Sequence, residues 1–95
     1  MAEILRVDHV EMADAALKLK NEWDAMTTCI TNITKIVDSI PDFWEADTAN
    51  RYMEQYDELK PGLEEAAQLI IDMSDQMTQI SGNFKDADSG MAGQM

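Results

Sequence analysis

Two long runs of apolar side chains keep the same beat, and a proline separates them. In the first run Met12, Ala16, Leu19, Trp23, Met26, Ile30, Ile33, Val37 and Ile40 follow one another at alternating steps of four and three. In the second run the beat passes through Ala49, Tyr52, Tyr56, Leu59, Leu63, Ala66, Ile70, Met73, Met77, Ile80, Phe84, Ala87 and Met91. A mean repeat of 3.5 residues belongs to helices that pack side by side with interlocking side chains, and β-strands would repeat every two. The chain therefore reads as all-α, with two long helices.

Local signals place the ends. Asp8-His9-Val10-Glu11 has the form of a capping box, with Val7 and Met12 spaced for a hydrophobic staple. Pro41 disfavours helical geometry at Ile40, so helix one is expected over 8–40, roughly 50 Å long. Asp42-Phe43-Trp44-Glu45 repeats the box and can restart the helix almost at once, while Asp47 is a competing cap. This predicts a short N-terminal extension over 1–7, a tryptophan-containing turn over 41–47, helix two over 43–88 and a flexible tail over 89–95. Pro61 removes one backbone bond inside helix two, yet the heptad rhythm crosses it, so the expectation is one kinked helix. So short a connection near 40–43 makes the pair an antiparallel hairpin.

One hairpin cannot cover these stripes. Leu19, Trp23, Met26, Ile30, Ile33, Tyr52, Tyr56, Leu59, Leu63, Ile70 and Met73 form the expected core and dimer seam. Beside it lie Ala13, Ala15, Thr27, Cys29, Thr34 and Ile36 on helix one, and Met53, Ala67, Leu69, Ser74 and Ser81 on helix two. An isolated coiled coil carries long charged residues at such flanks. Small and uncharged flanks widen the apolar face, and a large side chain left in water forgoes about 1.5–3 kcal/mol. The closed solution is two hairpins in a four-helix bundle, as a homodimer or with a related hairpin.

Nineteen acids against seven bases give a net charge of −12, which disfavours nucleic acid and anionic lipid as partners. Residues 8–40 carry −3 and residues 42–88 carry −9. The excess on helix two reads either as a solvated face or as a docking strip for a basic partner. No uncharged apolar run approaches a membrane span, and "MAEILRVDHVEM" has no basic block followed by an apolar one, so no cleavable signal peptide is expected. By composition alone the chain reads as a soluble cytosolic protein.

Catalytic chemistry is missing from the pattern. His9 is the single histidine, placed in the first turn of helix one, and no Glu-x-x-His pair exists. Glu54, Asp57, Glu58, Glu64 and Glu65 read as solvated charges, and "DADSG" over 86–90 lacks the acids and the length of a calcium loop. Cys29 stands alone, so there is no internal disulfide. The expectation is no enzyme, no catalytic residues, no metal and no cofactor.

The turn itself carries a resemblance. "FWEADTANRY" resembles the turn of the WXG-motif family, the early-secreted-antigen-like substrates of type VII secretion systems. Trp44-Glu45-Ala46 stands where that family has Trp-x-Gly, Tyr52 follows eight residues on, Lys60-Pro61 matches a basic-Pro pair, and "ILRV" matches the opening. The resemblance implies a hairpin, a head-to-tail dimer, and export without a cleaved signal peptide after folding in the cytoplasm. It also implies recognition by the secretion-system ATPase through a C-terminal Tyr-x-x-x-Asp/Glu signal, for which Phe84 and Asp88 are the matching residues. Two departures stand out. Ala46 replaces the motif's glycine and Phe84 its tyrosine, which removes a hydroxyl. A cytosolic adaptor or chaperone-like partner of a larger exported protein is the alternative reading.

Overall fold

The computed structural model describes the backbone of residues 7–93 and the side chains of residues 7–85. Two helices dominate, α1 over His9–Asp38 and α2 over Asp47–Gly93, joined by a 3-10 turn at Ile40–Asp42. Among the described residues there is no strand. The antiparallel hairpin expected from the twin repeats is the architecture found.

Asp8 caps α1. Its Oδ1 accepts from the backbone N–H groups of Val10 and Glu11, each at 3.1 Å, which satisfies two of the four amides a helix start leaves unpaired. At the other end α1 stops two residues before Ile40, the expected boundary. The Ser39 N–H is shared between the carbonyls of Lys35 and Ile36, and the chain then tightens into the 3-10 turn with Pro41 in its first turn. Proline fits there because its missing N–H would have had no partner.

Helix two starts later than Phe43. The Asp42 amide donates to Ser39 O, and those of Phe43 and Trp44 both donate to Ile40 O, so this stretch closes the turn and cannot open a helix. The first α2 bond runs from Asn50 N–H to Ala46 O, which puts Ala46 at the N-cap position and Asp47 in the first turn, where its charge complements the helix dipole. From there α2 runs without a break through Pro61. Both Pro61 and Gly62 are exposed, so water can reach the carbonyl that the proline leaves unpaired. Past Asp88, the expected end, the helix continues to Gly93. A formed helix gains one bond per added residue, and a glycine opposes that by only about 1 kcal/mol.

The chain divides into two compact units. One joins the start of α1, as far as Asn21, to the part of α2 from Ile70 onward, and the other is Glu22–Leu69 with the turn. In the first unit the Ser74 hydroxyl donates to Ala16 O at 2.7 Å and the Ser81 hydroxyl to His9 O. In the second, Tyr56 Oη and Thr34 Oγ1 share a hydrogen bond of 2.7 Å. Each bond ties α1 to α2 through a side chain of the seam.

Candidate functional site

Burial locates the line along which the helices meet. On α2 the line runs through the buried or half-buried positions Ala49, Met53, Tyr56, Lys60, Leu63, Ala67, Ile70, Ser74, Met77, Ser81 and Phe84, with Ile71, Ile80 and Gly82 half-buried beside it. On α1, Met12, Ala16, Leu19, Trp23, Met26, Ile30, Thr34 and Val37 play that part. Among the described residues the fully buried apolar set is Ala16, Ile30, Ala49 and Ala67, and the larger side chains on the line are half-buried.

The expected seam residues therefore fall into two groups. Leu19, Trp23, Met26, Ile30, Tyr56, Leu63 and Ile70 lie on the line between the helices. Ile33, Tyr52, Leu59 and Met73 do not; they are exposed, Leu59 by 60% of its surface. Positions expected as flanks, Ala67, Ser74 and Ser81, are instead among the most buried. Small side chains allow the helix axes to approach, and their hydroxyls find carbonyls across the gap, so no buried polar side-chain atom among the described residues lacks a partner.

Within Glu22–Leu69 the displaced large residues gather on one face. Stepping round α1 from Ile30 in one sense meets Ile33, Cys29 and Ile36. The same sense round α2 from Leu63 meets Leu59, Ala66 and Leu69. In an antiparallel pair equal senses of rotation end on the same side. Ile36 is 64% exposed and Leu69 61%. The result is an apolar surface built from both helices, and Cys29 lies on it as an exposed free thiol.

The surface leads to the turn. Trp44 and Tyr52 pack with ring centroids 6.2 Å apart and planes tilted by 44°, while Phe43 beside them is 71% exposed. Glu45 and Ala46 are exposed as well. No described residue has positive φ, so Ala46 meets no backbone strain. At the far end of α2, Phe84 is half-buried on the intramolecular line, and the side chain of Asp88 lies outside the described residues.

The remaining polar surface is ordinary. The acids of α2 from Glu54 to Asp75 are exposed. Lys18 and Asp14 pair at 2.9 Å on the surface of α1, a contact worth well under about 1 kcal/mol. Among the described residues no cluster of His, Cys, Asp and Glu could hold a metal ion, and no helix is long and apolar enough to cross a membrane.

Comparison with known proteins agrees with this geometry. Protein YukE of Bacillus subtilis (strain 168) is 22% identical over 95 residues, spanning 100% of this chain and 98% of that one. The crystal structure of Geobacillus thermodenitrificans EsxA (crystal form I) superimposes with a TM-score of 0.86 at 24% identity, covering 97% of this chain and 99% of that one, and so shares the fold. The family model described as "Proteins of 100 residues with WXG" matches residues 4–89. The chain belongs to that family, WXG100.

Proposed function

We propose that the protein is a substrate of a type VII secretion system that is exported as a folded dimer and acts through protein–protein contacts, without catalysis. The observation that carries the reading is the apolar face of Ile33, Ile36, Leu59 and Leu69, which the hairpin leaves open. A second hairpin, identical or homologous, offers a matching face and closes a four-helix bundle.

Membership of the family supports the export half of the reading. The secretion-system ATPase is the proposed receptor, with Phe84 and Asp88 as the C-terminal signal and Trp44, Glu45 and Ala46 as the turn element. The support for this pair is its sequence spacing, an aromatic residue followed by an acid four positions on. Export proceeds without a cleaved signal peptide.

The test is export from a host that carries the secretion apparatus. Phe84→Ala together with Asp88→Ala should leave the protein folded and dimeric in the cytoplasm and abolish its appearance outside. Undiminished export of that double variant would remove the signal from these residues. If the wild-type chain stays in the cytoplasm, bound to a larger exported protein, it is an adaptor and not itself a substrate.

A further inference from the structure

Opposite the apolar face, the segment Glu22–Leu69 carries a second surface of different chemistry. Stepping the other way round from Ile30 and from Leu63 meets Thr31 and Lys35 on α1, and Lys60, Glu64 and Gln68 on α2. Between them lies a groove of about 490 Å³. Its floor is Trp23, Ile30 and Ala67. Its walls include Thr27 and Thr31, whose hydroxyls already donate to helix carbonyls, to Asp24 O and Thr27 O, both at 3.0 Å. Those side chains therefore offer the groove mainly their methyl groups.

The rim is cationic in an acidic setting. Glu22–Leu69 contains eleven acids and three bases, yet the groove is bordered by two of those bases, Lys35 and Lys60, and by a single acid, Glu64. Lys60 occupies a position of the helix–helix line where an apolar residue would be usual, and it is half-buried. Neither lysine has an ion-pair partner among the described residues, although Glu64 lies one turn from Lys60. A lysine held at an apolar groove with its charge unmatched is complementary to a carboxylate that arrives with an apolar neighbour.

We propose that this groove is a docking site for an acidic peptide segment of a partner protein. One aliphatic or aromatic side chain enters over Trp23 and Ala67, and an adjacent carboxylate pairs with Lys35 and Lys60. The site lies on the face turned away from Ile33 and Leu59, so it stays open when a second hairpin covers the apolar face. Repulsion from the other acids is screened beyond about 8 Å at physiological ionic strength, whereas the two lysines act at contact distance.

The experiment titrates the isotopically labelled full chain with two acetylated nine-residue peptides that alternate leucine with either glutamate or glutamine. The glutamate peptide should shift the Trp23 indole signal and the amides of Thr31, Lys35 and Lys60. The glutamine peptide should bind roughly tenfold more weakly, the scale of one charge-assisted contact. Replacing both lysines (Lys35→Ala, Lys60→Ala) should cost a similar factor and leave the solution mass unchanged. Equal binding of the two peptides would overturn the proposal, as would shifts confined to Ile33, Ile36 and Leu59, or no response to either peptide. Uptake of decanoate without peptide binding would assign the groove to small amphipathic anions instead. Self-association lost on the lysine replacements would assign it to a second copy. Solution mass and export are read separately, so failure here leaves the dimer and secretion reading standing.

Discussion

The hydroxyl of Ser74 donates a 2.7 Å hydrogen bond to the carbonyl oxygen of Ala16, and both residues are almost fully buried. Seven residues along each helix the same relationship recurs between Ser81 and His9. A further pair, Tyr56 and Thr34, stands eighteen residues from Ser74 and eighteen from Ala16. Within the unit that joins the start of α1 to α2 from Ile70 onward, one register thus serves both serines. A slip by one turn would carry Ser74 away from Ala16, where small side chains let the helices approach, and would crowd larger side chains into that contact. The small polar seam therefore specifies alignment more than it supplies adhesion.

If that is its role, shape should matter more than the hydrogen bond at Ser74. Ser74→Ala removes one neutral bond and should cost about 0.5–1.5 kcal/mol, a few degrees of melting temperature for a chain of this size. Ser74→Leu puts a large side chain where Ala16 leaves no room, and should cost more than Ser74→Ala by about 1–3 kcal/mol. Urea unfolding of the two variants under identical conditions measures the difference. Equal midpoints would mean that the helices do not approach closely here.

The bond between Tyr56 and Thr34 should show coupling. Tyr56→Phe and Thr34→Val each remove one half of a part-buried pair. In the double variant the combined loss should fall short of the sum of the single losses by about 0.5–1.5 kcal/mol. Strict additivity across the thermal-unfolding cycle would show that the bond contributes nothing.

Ala46 holds the N-cap position of α2 with a residue that caps poorly. Ala46→Ser should stabilise the fold by about 1 kcal/mol, and Ala46→Gly, which restores the motif's glycine, by less. Helix content and melting temperature report both. If Ala46→Gly destabilised instead, the position would demand a side chain that the geometry gives no reason for.

Much of the fold was legible in the sequence because a 3.5-residue repeat leaves few alternatives: two helices, a break at Pro41 and a cap at Asp8 all carry direct chemical signals. Which apolar line faces inward was not legible from apolar content alone. Ranking residues by hydrophobicity favours Tyr52, Leu59 and Met73, whereas the helices meet on Lys60, Ala67, Ser74 and Ser81, one position further along. The signal was present in the heptad spacing of Ala67, Ser74 and Ser81, small residues that suit close approach. The start of α2 was misplaced for a related reason. Asp42-x-x-Glu45 has the letters of a capping box, but the 3-10 turn set by Ser39 and Pro41 already uses the amides of Asp42, Phe43 and Trp44. The groove beside Trp23 had no sequence signature, since it depends on which side of each helix the two lysines fall.

In the proposed dimer a second hairpin closes the face of Ile33, Ile36, Leu59 and Leu69. Sedimentation equilibrium of the purified full chain, alongside Leu59→Asp, tests it most directly. Leu59 is exposed in the single hairpin, so the substitution should leave helix content unchanged. In a dimer it buries an unpaired carboxylate at a cost of several kcal/mol. The expected result is twice the chain mass for the wild type and a single-chain mass for Leu59→Asp at the same concentration. A wild-type chain that sediments as a folded single copy, or a Leu59→Asp dimer as tight as the wild type, would contradict it.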